Sequence, residues 1–331
     1  MQSNGIKLVL LSLLLIVSMI CSLMFGYKVF TVSDVFHALF QNQHIDDHNI
    51  LMNLRLPRTL LAALIGLMLG ISGVLIQTVT RNPFASPGIM GVNSGASLFV
   101  VTAIVIFNIN GTFQLSVIAF IGACVVAAMI VGATTLPVRP LSIMELTLFG
   151  ASISAFCMAV TQGLLIYNES AIEQVIYWLS GAVSNKKLSI LTHLWPFIVI
   201  GITLTIYNIK NLNVYYLDDT ALKSVGGNIL RIKFITMLSV ALLSGASVAI
   251  AGPIAFIGLI TPHITKMMVS SHNHIVLLPA AGLIGAVLLV TSDILSRYLL
   301  FPQEIPVGIA TAMIGSPIFF YLILKRKEQM S

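Results

Sequence analysis

Charge is what this chain has least of. Asp, Glu, Lys and Arg together make up 8% of its 331 residues, whereas a soluble domain carries about 25%. So few charges cannot cover a water-facing surface, which excludes a soluble globule. Also missing is the phosphate-cradling pattern G-x-x-x-x-G-K-[ST], which excludes nucleotide binding by that route. Cysteine is scarce. Cys21, Cys124 and Cys157 all fall in apolar spans, so neither a disulfide nor a metal site is expected. No soluble-length segment interrupts the apolar runs, so residues 1–331 are expected to form one transmembrane domain. No catalytic constellation stands out, and the chain is not read as an enzyme.

What is present in quantity is apolar sequence: 57% hydrophobic residues and a mean hydropathy of +1.00. Runs near 20 residues recur from end to end, the mark of a polytopic all-α membrane protein. The spans are read at 8–27, 59–79, 92–107, 115–136, 146–166, 190–208, 234–252, 254–270, 276–299 and 307–324, about ten in one bundle. The third and eighth are short and broken by glycine or proline. The first, with no A-x-A-like site after it, is read as retained and not as a signal peptide.

An even number of spans places both termini on one side. With that side inside, Lys7, Arg81, Arg139, Lys210, Lys223, Arg231, Lys233, Lys266, Lys325, Arg326 and Lys327 lie inside, 11 of the 17 basic residues. Lys28, Arg55, Arg58, Lys186, Lys187 and Arg297 lie outside. This bias obeys the positive-inside rule and accounts for the net charge of +6 better than nucleic acid does. Outside loops fall at 28–57 and 167–189, the second amphipathic enough for an interfacial helix. The longest inside loop is 209–233.

The second span, with the turns around it, organises the rest. It starts at Arg55-Leu56-Pro57-Arg58, carries Gly66, Gly70 and Gly73, and breaks at Arg81-Asn82-Pro83. A G-x-x-x-G spacing lets another helix press close, and broken backbone at membrane depth needs protein or water to satisfy it. The span therefore reads as lining something. The seventh span echoes it, running through Leu243-Ser244-Gly245 to a break at Gly252-Pro253. Similar patterns in opposite directions suggest an inverted repeat of two halves.

Few polar residues invite a role. Asp46-Asp47 and Asp218-Asp219 lack metal-binding spacing and read as solvated loop charges. His272 and His274 lack further ligands and read as surface histidines. Asp293 is the one acid deep in a span. It is either a proton-relay carboxylate or the partner of Arg297 one turn on, and the structural pair is favoured. Arg55 and Arg58 read equally well as snorkelling interfacial residues or as a docking pair for carboxylates.

Three ordered stretches carry a family likeness. Residues 55–96 (RLPRTLLAALIGLMLGISGVLIQTVTRNPFASPGIMGVNSGA), 252–268 (GPIAFIGLITPHITKMM) and 304–323 (EIPVGIATAMIGSPIFFYLI) resemble the FecCD-type permease subunits of type II ABC importers for iron–siderophores, haem and cobalamin. The resemblance implies a ten-helix subunit paired with a second, identical or similar permease. It also implies a cytoplasmic ATPase dimer that holds ATP and Mg, an extracytoplasmic substrate-binding protein, and no cofactor on this chain.

By the same likeness, Arg55 and Arg58 meet glutamates of the binding protein. Asn82, Phe84, Ile143 and Met144 match the cytoplasmic gate. Asp219-Thr220-Ala221-Leu222-Lys223-Ser224-Val225-Gly226 resembles the ATPase-coupling segment, which assigns coupling to Asp219, Lys223 and Gly226. His274 matches a family position but is given no role. The expectation is thus a multi-pass permease of a bacterial cell membrane with cytoplasmic termini. It would import an iron(III)–siderophore, with haem or cobalamin less favoured. The alternative is a proton-coupled secondary transporter working through Asp293.

Overall fold

A computed structural model describes residues 2–40, 45–88, 90–135, 143–168, 171–217, 228–269 and 271–328. Among them regular structure is helical, with one isolated bridge between Leu300 and Gln303. The helices are α1 (Gln2–Met24), α2 (Val32–Phe40), α3 (Ile45–Asn49), a π-helical segment Ile50–Arg55, α4 (Leu56–Thr80), α5 (Val92–Val105), α6 (Thr112–Thr135) and α7 (Ile143–Tyr167). They continue as α8 (Ile172–Leu179), α9 (Leu191–Leu217), α10 (Ile229–Ala251), α11 (Ile257–Met268), α12 (His274–Ser296) and α13 (Val307–Glu328). Each expected span corresponds to one of these helices. Seven are long and apolar enough to cross a membrane.

The short spans have a physical consequence. At 1.5 Å per residue the 14 residues of α5 and the 12 of α11 cover about 21 and 18 Å, short of a roughly 30 Å hydrocarbon core. Both follow a break. After α4, Arg81 adopts a left-handed conformation (φ 46°) and Gly91 another (φ 89°). After α10, Gly252 (φ 77°) and Phe256 (φ 67°) also have positive φ. Thus a long helix, a break and a short helix occur twice, as the echo between the second and seventh spans suggested.

The two long helices of that pattern are the most enclosed. The apolar windows of α10 and α4 are 83% and 72% buried, against 17% for α7 and 22% for α1. The core therefore sits around α4 and α10, and α1 and α7 turn most of their surface outward. Small residues make the central packing possible. A Cβ at Gly66 would collide with the Gly285 carbonyl, one at Gly70 with the Ala281 carbonyl, and one at Gly73 with the Gly258 carbonyl. The G-x-x-x-G of α4 thus meets small residues of α12, as close approach in lipid requires.

Arg58 meets Asp293, Gly66 meets Gly285, Gly70 meets Ala281 and Thr78 meets His274. The partners step up one helix as they step down the other, so α4 and α12 lie antiparallel along their whole length. Their ends define an Arg58 end and an Arg81 end of the bundle, about 35 Å apart along α4.

The three expected loops take the following forms. The segment 28–57 contains α2, α3 and the π-helical turn leading into α4. The amphipathic stretch after the fifth span forms α8, whose Val175 is fully buried. The loop following it is tied to the second break, where Ala182 N donates to Ala251 O at 2.7 Å. Finally, α9 runs to Leu217 instead of ending near 208. Its polar-looking tail still buries Leu212 and Tyr215, so helix takes up 209–217 and 229–233 of the expected loop 209–233, and residues 218–227 lie outside the described residues.

Candidate functional site

At the Arg58 end, three arginines bind α1, α4 and α12 together. Arg58 Nε donates to both oxygens of Asp293 at 2.9 Å, and its Nη1 donates to Glu304 at 2.5 Å. Arg297 Nη2 donates to Asp293 Oδ2 at 2.6 Å and to Ser22 Oγ at 2.9 Å; its Nη1 donates to the carbonyls of Ser22 and Phe25 at 2.7 Å. Asp293 and Arg297 are buried. Asp293 and Arg297 therefore do pair, and Arg58 completes an ion cluster that the i,i+4 spacing alone did not reveal. Both oxygens of Asp293 are taken up by the two guanidiniums, the arrangement of a tie between helices.

Arg55 differs from the expectation of a projecting docking residue. It is 7% exposed, and its Nη1 donates to Leu23 O at 2.7 Å and Met24 O at 2.9 Å, while Nη2 donates to Lys28 O. The guanidinium also lies over the Phe30 ring, 4.7 Å from its centre. The chain after α1 folds back over Arg55 and consumes its donors. Arg58, with 12% of its side chain exposed, is likewise committed to acids of this chain.

At the Arg81 end the described contacts are mainly hydrogen bonds to neutral groups. Arg81 Nη2 donates to Tyr215 O at 3.0 Å and its Cζ stands 4.6 Å from that ring's centre. Tyr215 OH donates to Val79 O at 3.1 Å. His274, expected at the surface, is fully buried, whereas His272 is exposed. Asn213 Oδ1 accepts from His274 N at 2.8 Å and lies 2.7 Å from Nδ1, so Nδ1 carries a proton. Nε2 faces Thr78 Oγ1 at 3.0 Å. The reason is positional: His274 is the first residue of α12, capped by Asn273, and α12 begins against the end of α4.

Of the residues matched to the gate, Asn82 and Phe84 lie in the break after α4. Asn82 Oδ1 accepts from Phe84 N at 3.0 Å, a tight turn that fixes the ring. Phe84 packs edge-on against Phe319 of α13 (5.8 Å) and 6.2 Å from His263 of α11. His263 Nε2 donates to Pro83 O at 2.9 Å. Ile143 and Met144 open α7, and their side chains lie outside the described residues. So do Asp219, Lys223 and Gly226. Sequence reasoning missed Phe256, a non-glycine residue at positive φ whose ring lies 6.4 Å from that of Phe319.

Two cavities flank this framework. One, of about 360 Å³, sits where the two breaks converge and is lined by Leu69, Gly88, Asn93, Ile254, Phe256 and Phe319 among others. The other, of about 780 Å³, opens at the Arg58 end and is basic. Among the described residues no group of three His, Cys, Asp or Glu is placed to hold a metal, and Cys21, Cys124 and Cys157 are free thiols.

Long antiparallel helices, two broken spans with an apolar cavity between them, and polar networks at both ends define a membrane transport protein. The chain belongs to the FecCD transport family, which matches residues 14–325. It is 40% identical over 304 residues to the Fe(3+)-citrate import system permease protein YfmD of Bacillus subtilis, covering 92% of this chain and 90% of that one. It is 37% identical over 289 residues to the hemin transport system permease protein HmuU of Yersinia pestis, covering 86% and 85%. Its structure resembles an inward-facing metal-chelate type ABC transporter chain with a TM-score of 0.83 and 28% identity, covering 98% of this chain and 100% of that one.

Proposed function

We propose that this chain is the membrane-spanning permease of an importer for an iron(III) chelate, driven by ATP hydrolysed on a separate polypeptide. The observation that carries the reading is a family match spanning residues 14–325, combined with two broken helices that border one cavity. Relatives named for ferric citrate and for hemin support a metal-chelate cargo. An iron(III)–siderophore or iron(III)–carboxylate complex is favoured over haem or cobalamin.

In this reading the Arg58 end faces outward and receives a substrate-binding protein. Arg55 builds that face from beneath by ordering the chain after α1, and Arg58 by tying Asp293 to Glu304. The Arg81 end and both termini face the cytoplasm of a bacterial cell. There residues 218–227, including Asp219, Lys223 and Gly226, couple to an ATPase dimer, and Asn82, Phe84, Ile143 and Met144 border the inner gate. A second permease, identical or similar, completes the passage. Motion passes as rigid-body movement of packed helices, with ATP and Mg on the ATPase and no cofactor on this chain.

The test is uptake into vesicles containing the assembled transporter with its ATPase and binding protein. Radiolabelled ferric chelate should accumulate with ATP and Mg and should not accumulate under a proton gradient alone. Accumulation by this chain alone, driven by a proton gradient, would replace the reading with a secondary carrier.

A further inference from the structure

The cavity at the Arg58 end has an unusual wall. Lys28, Arg55, Arg58, Lys186, Lys187 and Arg297 all border it, the same six basic residues that the charge bias places on that side. Against them stand Glu304, also on the wall, and the carboxylates of Asp293 and Asp47 that pair with wall cations. Among the described residues, six cations against three carboxylates leave a surplus of three positive charges.

The surplus is concentrated on particular groups. Arg55 makes no direct ion pair with an acid among the described residues and rests on carbonyl dipoles. Lys186 and Lys187 have no acidic or hydrogen-bonding partner among the described residues. Burial pushes the Lys186 ammonium below its ordinary pKa, the response of a cation with no counter-charge. The Nε–H of Arg297, a side chain only 2% exposed, is buried without an acceptor. Neutral hydrogen-bonding groups, among them Tyr177 OH and Ser184 Oγ (3.1 Å apart), complete the wall.

A concave surface with one sign of charge concentrates ligands of the other sign. The volume of about 780 Å³ falls in the usual range for a small-molecule site. We propose that this cavity is a receiving site on the permease itself for a net-anionic iron(III) chelate, one presenting carboxylate or phenolate oxygens. Lys186 and Lys187 are its free cations, and the arginine cluster is its fixed floor. The inference rests on the importer reading and adds a charge preference to it: the permease favours anionic over neutral chelates before the passage opens.

The experiment uses the assembled transporter in nanodiscs without its binding protein. The probes are radiolabelled ferric citrate, which is anionic, and a neutral ferric trihydroxamate. Wild type should bind ferric citrate in a salt-sensitive manner, and Lys186→Glu/Lys187→Glu should weaken that binding by about tenfold or more. Lys186→Gln/Lys187→Gln should fall between. Binding of the neutral chelate and basal ATP hydrolysis should not change.

The proposal is overturned by three results: no salt-sensitive ferric citrate binding to wild type, unchanged binding in the Glu variant, or equal loss for both chelates. It is also overturned if the variants affect only capture of the binding protein, since the wall would then be a docking surface. ATP-driven uptake by the wild-type transporter with its binding protein, measured alongside in vesicles, separates the two failures. Uptake without charge-dependent binding sinks the receiving site alone, and charge-dependent binding without uptake sinks the importer reading.

Discussion

The two ends of α4 solve the same problem in different ways. At one end Arg58, Arg297 and Asp293 join three helices through buried ions. At the other, among the described contacts, His274, Asn213, Thr78 and Tyr215 join helices chiefly through neutral hydrogen bonds. Buried ions tolerate little rearrangement, because separating them leaves an unpaired charge in a low dielectric. Neutral hydrogen bonds cost far less to exchange. The ionic end is thus built as the fixed end, and the end whose described contacts are mostly neutral, which abuts the breaks, is built to change.

Substitutions can break that comparison. The largest effect is expected for Asp293→Ala, which strands Arg58 and Arg297 and should cost about 3–5 kcal/mol. Little folded protein should survive detergent extraction, judged by size-exclusion profile and thermal midpoint. Arg55→Ala should come next at up to about 3 kcal/mol, since hydrogen bonds to charged groups are the stronger kind. Arg55→Lys should recover part of it, because an ammonium reaches fewer of the three carbonyls.

At the neutral end, His274→Ala should cost about 1–3 kcal/mol through the donors and acceptors it leaves unpaired. A drop in thermal midpoint exceeding that of Asp293→Ala would reverse the ranking of the two ends. The smallest effect belongs to Asp47→Ala. Its pair with Lys28 is 52% and 37% exposed, and such pairs contribute about 0–1 kcal/mol. A shift in midpoint comparable with that of Arg55→Ala would mean that the charge on the cavity wall matters more to folding than its exposure implies.

Much of the architecture was legible in composition and spacing. Apolar runs placed the helices because lipid forces every backbone group to be satisfied within the segment. Gly66 and Gly70 announced a close contact, and Asp293 with Arg297 announced a pair, since both signals are local. The partners were not legible. Gly285 lies 219 residues from Gly66 and Asp293 lies 235 from Arg58, and nothing local encodes which helix α4 meets.

Burial misled at three positions. Arg55 and His274 look exposed in sequence, yet the chain after α1 covers one and α12 begins inside the bundle at the other. The tail of α9 looked like loop because Asn208, Asn211 and Asn213 are polar; in the fold they hydrogen-bond to α10, to one another and to the start of α12.

The account stands on Asp293 being a structural tie and on energy arriving from outside this chain. The most direct measurement is ATP-driven chelate uptake by reconstituted transporter carrying Asp293→Asn, normalised to folded protein. The expected result is a lowered thermal midpoint with uptake per folded transporter within about twofold of wild type, since removing one charge from a structural pair affects stability first. A variant as stable as wild type that no longer transports would contradict it and make Asp293 part of the transport chemistry.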